Sequence, residues 1–256
     1  VVSDGSPARG YEIIHRDGLA EIRLACGKAN ALNPRSLDAL AAAFGEVRRS
    51  DAAGVVLTGY ESFFSAGLDL VLLYGLDPPA MDAFMQVFDR VMLEVFAFPR
   101  PVVAALNGHA VAGGCILALA CDARVVVDGP VQIGLNEVRL GVPFPASAVE
   151  IARHGISPRS LEEVLYGGEL YAPVEARSRG LVDRVTVDPL GEARGLCARL
   201  AGQPRGAFTA IKAALKAPAL ARAREALDPL RRAFVEAWYS PDARDRLGAA
   251  RAPLLR

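Results

Sequence analysis

Two glycine-bearing stretches carry most of the chemical potential of this chain. Phe64-Ser65-Ala66-Gly67-Leu68-Asp69 follows an apolar run and a short loop, and Gly113-Gly114 opens an apolar helical stretch further on. Glycine lets the backbone approach a ligand closely. A helix start aims free N–H groups and a partial positive charge at whatever lies before it. Two such turns facing each other would form an oxyanion hole for a carbonyl that becomes an enolate. Each donor in such a hole lowers a barrier by about 3 kcal/mol. The same glycines also serve plain helix–strand packing, and neither stretch alone decides between the two.

A proton-moving group is offered by Glu137, in Gly134-Leu135-Asn136-Glu137. Taken alone, a surface or ion-paired carboxylate is the ordinary fate of such a residue. His109, in Asn107-Gly108-His109-Ala110, is expected to pack or cap near its turn. Cys115 lies near the second glycine pair, but no motif gives it a base, so it is not expected to be a nucleophile. Asp122 reads as structural. No GxxxxGK[ST] or GxGxxG occurs, which excludes a P-loop and argues against a dinucleotide site. Three histidines stand far apart, and four cysteines form no CxxC pair, so no metal site is expected.

These residues need elements to position them. Tyr11 to Arg16 and Ala20 to Leu24 read as a hairpin around Asp17-Gly18. Ser36 to Arg49 and Pro79 to Phe98 have helical periodicity. Gly54 to Thr58, Val102 to Leu106 and Ala123 to Val127 read as buried strands, and Gly114 to Ala120 as a helix. Leu181 to Val187 is a late extended segment. Strands alternating with helices predict an α/β fold with a largely parallel sheet covered on both faces. From Gly191 the chain reads as helix, with breaks at Gln203-Pro204, Pro218 and Ser240-Pro241. The boundary falls near residue 190, giving a core of residues 1–190 and a helical region of 191–256.

The 256 residues are 52% hydrophobic and 23% charged, enough to bury a sizeable core. Twenty-nine basic residues balance 29 acidic ones, so bulk attraction to nucleic acid or an anionic membrane is not expected. No apolar run is long enough to span a bilayer, and the first residues lack a secretory pattern. The expectation is a soluble, cytoplasmic, bacterial protein.

Four ordered stretches add a specific resemblance. FSAGLDL, PRPVVAALNGHAVAGGCILALACDARV, IGLNEVRLGV and EVLYGGELYAPVEARSRGLVDRV resemble the successive signatures of the crotonase (enoyl-CoA hydratase/isomerase) superfamily. The resemblance implies repeated ββα units followed by a helical region that mediates assembly into a homotrimer or hexamer. It implies an acyl-CoA thioester as ligand, with no cofactor beyond the coenzyme A that the substrate carries. Transferred residue by residue, the oxyanion donors fall on the N–H groups of Leu68 and Gly113. The Ala66 carbonyl falls where the family holds the adenine amino group, and Ser65, Gly67 and Asp69 complete that turn. Lys28 is placed to meet a coenzyme A phosphate, as is Lys212 from a neighbouring subunit; a solvated side chain is the ordinary alternative for each.

One departure matters chemically. Hydratases of the family carry a carboxylate two residues after the last helix-opening glycine and a second one later. Here the first position is Ile116, and the second is Glu137. Isoleucine neither binds water nor moves a proton. A lone carboxylate suits proton removal at C2 of a 3-enoyl thioester and return at C4. The motifs most resemble 3,2-enoyl-CoA isomerases, with Glu137 as base and Asn136 beside the substrate. A lyase with one Glu (an atypical hydratase or a decarboxylase) and a non-catalytic acyl-CoA-binding subunit are the alternatives.

Overall fold

The computed structural model describes residues 9–255, apart from the Lys28 side chain. In chain order the elements are β1 (Tyr11–Arg16), β2 (Leu19–Leu24), α1 (Pro34–Arg49), β3 (Gly54–Thr58), β4 (Phe63–Ser65), α2 (Leu70–Leu73), α3 (Pro78–Phe96), β5 (Val102–Leu106), β6 (His109–Val111) and α4 (Gly113–Ala120). There follow β7 (Ala123–Val127), β8 (Ile133–Gly134), α5 (Ala146–Gly155), α6 (Leu161–Gly167), β9 (Leu170–Tyr171), α7 (Pro173–Ser178), β10 (Arg184–Thr186), α8 (Pro189–Ala201), α9 (Arg205–Trp238) and α10 (Pro241–Arg251). A 3-10 turn, Glu137–Leu140, joins β8 to α5.

Among the described residues the strands form two sheets. The larger has the order β1-β2-β3-β5-β7-β10, and the smaller β4-β6-β8-β9. In the large sheet only the β1–β2 hairpin is antiparallel. Its turn has positive φ at both Asp17 and Gly18, the backbone twist a two-residue hairpin needs. Both faces are covered. One carries the main core, with α1, α3 and α4. Cys197 and Ala193 of α8 close the other against Val56, Val103 and Val125.

The ββα repeat has a simple logic. β3, β5 and β7 lie in the large sheet, and each is followed by β4, β6 or β8 in the small one. β4, β6 and β8 run parallel and adjacent, with β6 in the middle. Three chain segments therefore leave the small sheet at the same end, each about to start a helical element. They carry Leu68, Gly113 and Glu137.

One expected break is absent. α9 runs without interruption through Pro218 and Pro229. A proline removes one N–H donor and ordinarily ends a helix. Here tertiary contacts hold the helix around Pro218. Lys212 Nζ donates to Asp122 Oδ2 (2.6 Å) and to the Arg100 carbonyl (2.9 Å). Lys216 Nζ donates to Asp122 Oδ1 (2.8 Å) and to the Phe96 carbonyl (2.9 Å). Beyond the proline, Ala219 and Ala223 are buried, and Arg222 pairs with Glu150 of α5. The late segment pairs as a strand only over β10, a shorter stretch than its apolar run suggests.

Asp122 thus compensates two buried ammonium groups at once and also accepts from the Val102 N–H at 2.8 Å. Removing one partner of a buried ion pair leaves an uncompensated charge, at about 3–5 kcal/mol. Asp122→Ala is expected to lose about that much stability in urea melts, whereas exposed Asp245→Ala changes it by less than about 0.5 kcal/mol.

Candidate active site

The first turn is held by its own chain. Asn30 is buried, and its amide group donates to the carbonyls of Leu24 (3.0 Å) and Phe64 (3.2 Å) while its oxygen accepts from Cys26 N–H (2.8 Å). Ser65 Oγ donates to the Asn30 carbonyl at 2.8 Å and accepts from Gly67 N–H at 3.3 Å. Ala66 N–H donates to the Ala29 carbonyl at 3.0 Å. Asp69 caps α2 through Leu72 N–H (3.0 Å) and accepts from the Asn33 side chain (3.0 Å), tying the turn to the start of α1. Ser65 and Asp69, expected to complete this turn, hold it with their side chains.

The donors follow from this scaffold. Leu32 forms a parallel bridge with Leu68. In it Leu32 N–H donates to Gly67 O (2.7 Å), and Asp69 N–H donates to Leu32 O (2.9 Å). Leu68 sits between those two bonds, so its own N–H points the other way. Gly113 is the first residue of α4, and the first intrahelical bond is Ile116 N–H to Ala112 O at 3.0 Å. Its N–H has no acceptor within the helix. Ala112 precedes it at φ 50°, a strained conformation for a residue with a β-carbon.

The two turns touch. A β-carbon built on Gly67 would lie 2.7 Å from Val111 O and 3.0 Å from Gly113 N. One built on Gly114 would lie 2.2 Å from Ser65 O. Only glycine permits either approach, so the glycine pattern and the close contact of the two turns have one cause.

Glu137 begins the 3-10 turn after β8 and is 8% exposed. Its Oε2 and the neighbouring Asn136 Oδ1 are buried and accept no hydrogen bond among the described residues. Burial pushes the Glu137 carboxyl up to about 8, and its own backbone N–H offsets this only in part. Ala112 N–H donates to Gly134 O at 2.8 Å, which fastens this strand to the start of α4. Cys115, in the first turn of α4, is fully buried, and desolvation and the Glu137 charge both raise its thiol pKa. A protonated thiol is not a nucleophile. Ile116 is likewise fully buried.

Other expectations divide. His109 packs on Phe63, with ring centroids 5.0 Å apart, and its Nδ1 accepts from Gln132 N–H at 3.1 Å. Asp122 is structural, as expected. Lys212 is a correction: the residue is 7% exposed and its ammonium is held within its own chain by Asp122 and Arg100, so it offers no free charge to a phosphate. Lys28 opens a 3-10 turn, and its side chain lies outside the described residues. Beside the second turn, a ring carbon of the buried Phe88 of α3 lies 3.3 Å from where a Gly113 β-carbon would be. Asn30 was missed as the residue that fixes the first turn. Its signal is an asparagine among alanines, and it and Ala29 both adopt positive φ.

The family model for enoyl-CoA hydratase/isomerase matches residues 15–245. The chain belongs to this family. It is 40% identical over 134 residues to mitochondrial enoyl-CoA delta isomerase 1 of Mus musculus, a match spanning 52% of this chain and 46% of that protein. It is 32% identical over 242 residues to a protein of Mycobacterium tuberculosis named "Probable enoyl-CoA hydratase EchA17", covering 93% of this chain and 89% of that one. The crystal structure of human mitochondrial delta3-delta2-enoyl-CoA isomerase superposes with a TM-score of 0.91 at 27% identity, over 96% of this chain and 98% of that one. The fold is therefore the crotonase fold.

Because Glu137 binds its proton more tightly folded than unfolded, its contribution to stability falls as pH rises from about 4.5 to about 8, then levels off. Glu137→Gln removes that slope. Thermal melts are expected to show the variant gaining on the wild type by several degrees between about pH 5 and about pH 9. A constant difference across that range would mean the carboxyl is not buried uncharged.

Proposed function

We propose that this chain converts 3-enoyl-CoA into 2-trans-enoyl-CoA, with Glu137 as the only acid–base group. The observation that carries the reading is the buried Glu137 carboxyl, raised by desolvation with no neighbouring charge to offset it, beside two touching glycine turns and with isoleucine where a second carboxylate would stand. Glu137, ionised, takes a proton from C2. The electron pair delocalises over the C3–C4 double bond and the thioester, and the oxygen takes the charge. The N–H groups of Leu68 and Gly113 stabilise that oxygen. The Glu137 carboxyl then returns the proton at C4, leaving a double bond between C2 and C3. Atoms and electrons balance without water or a further cofactor. Coenzyme A enters as part of the substrate, with the Ala66 carbonyl as acceptor for its adenine amino group.

A dry site favours this chemistry. Desolvation strengthens the carboxylate as a base, and an apolar Ile116 holds no nucleophilic water. The hydratase-named relative matches nearly the whole chain, which favours water addition as the second reading. The product distinguishes the two: a conjugated enoyl thioester for isomerisation, a 3-hydroxyacyl thioester for hydration. Assembly into a homotrimer or hexamer is part of the proposal, since Ile211 and Leu215 of α9 are 60% and 65% exposed and form apolar surface that a second subunit would cover. A cytoplasmic bacterial setting completes the reading.

Two variants test it. Glu137→Gln is expected to lower kcat by about 10²–10⁴-fold with acyl-CoA affinity nearly unchanged, followed by ultraviolet absorbance of the conjugated product. Activity within tenfold of wild type would remove Glu137 from the mechanism. In the wild type, kcat/KM is expected to rise with pH around a midpoint of about 8, since the base must be ionised. Ile116→Glu is expected to introduce measurable hydration of 2-trans-enoyl-CoA, detected as 3-hydroxyacyl product by mass spectrometry.

A further inference from the structure

We propose that Tyr74 is a specificity-determining residue that sets how long an acyl tail the site accepts. The proposal rests on the acyl-CoA reading above. Two elements lead away from the site: α2, which follows Leu68, and the 3-10 turn that begins at Glu137. On that reading an acyl tail continuing past the reacting carbons would leave between them. Leu68, Leu70 and Leu140 line these segments, partly buried and packed against the main core, so the way out is apolar.

α10 lies across both elements. On one side it meets Gly141, at the end of the 3-10 turn, where a β-carbon would lie 3.2 Å from Ala243 Cα. On the other it meets Tyr74, the residue that ends α2. The Arg244 guanidinium carbon sits 3.3 Å from the Tyr74 ring centroid, and that of Arg251 sits at 4.9 Å. Arg244 Nη1 donates to the Tyr74 carbonyl at 3.0 Å, and Tyr74 Oη donates to the Arg244 carbonyl at 3.4 Å. Tyr239 Oη, just before α10, donates to the Leu76 carbonyl at 2.6 Å. Two cations stacked on one ring, with reciprocal hydrogen bonds, pin the helix to α2. α10 is thus a strap across the exit, and Tyr74 is its fastening on the side of the oxyanion turn. A short tail ends beneath the strap. A long tail must displace it and lose those contacts.

The test compares two lengths in two readouts: isomerisation of 3-hexenoyl-CoA and 3-dodecenoyl-CoA, and calorimetric binding of hexanoyl-CoA and dodecanoyl-CoA. The wild type is expected to favour the short chain in both. Tyr74→Ala is expected to raise kcat/KM and affinity for the long chain by about tenfold while changing the short chain by less than about twofold. Tyr74→Phe, which keeps the stacked ring, is expected to retain wild-type selectivity. Arg244→Gln, which leaves the ring in place, is expected to behave as Tyr74→Ala and guards against a fold defect specific to the tyrosine. Equal changes at both lengths, or a wild type indifferent to length, would overturn the proposal. Should the wild type isomerise neither substrate, the proton-transfer reading fails alone, and the binding comparison still decides the role of Tyr74.

Discussion

A carboxylate buried without a partner is the constraint on which the rest of the site depends. Burying a charge is costly unless it is paired, and an isolated acid responds by holding its proton. Glu137 does so, with its carboxyl raised to about 8 and Oε2 unbonded among the described residues. Its surroundings keep it that way. Ile116, Leu135 and Cys115 are fully buried nearby in the chain or the fold, and none brings a positive charge. A group in this state is a strong base as soon as it ionises, and the folded chain gives up stability to keep it there.

The same chain shows the opposite treatment of an acid. Asp122 is also largely buried, but it faces two ammonium groups and a backbone N–H. Those partners satisfy its charge, which makes it a structural joint between α9 and the large sheet. Burial alone therefore does not single out a catalytic acid. Asp89 is buried with a raised carboxyl too, but Ser147 and Arg231 partly offset it; Glu137 has only its own backbone N–H, and it sits at the end of the small sheet where the Leu68 and Gly113 turns also emerge. The ββα repeat accounts for that convergence. Each unit changes sheet at an equivalent point and delivers its contribution beside the last, so residues about 45 and 24 positions apart in sequence meet through three short parallel strands.

Much of this is legible in the sequence. The buried strands β3, β5 and β7 are apolar runs with clear punctuation, and their limits agree with the sequence reading. Gly67, Gly113 and Gly114 sit where backbones touch. By contrast β6, β8 and β9 are two or three residues long, too short for any periodicity, and they exist because their neighbours present free backbone groups. The uninterrupted course of α9 depends on Lys212 and Lys216 reaching Asp122, about 90 positions away. Local rules see only Pro218. The same long-range contact explains why Lys212, which looks like an available cation in sequence, is not one. Ser65 and Asp69 support their turn from within through side-chain hydrogen bonds that spacing alone does not reveal.

The central claim is that one shielded carboxyl carries the same hydrogen from C2 to C4. It is tested most directly with 3-hexenoyl-CoA deuterated at C2, converted in ordinary water and analysed by NMR at low conversion. A single shielded carboxyl predicts product carrying a substantial share of the deuterium at C4. Product holding only solvent hydrogen at C4, from the earliest turnovers, would contradict the account and point to a second group or to water in the transfer.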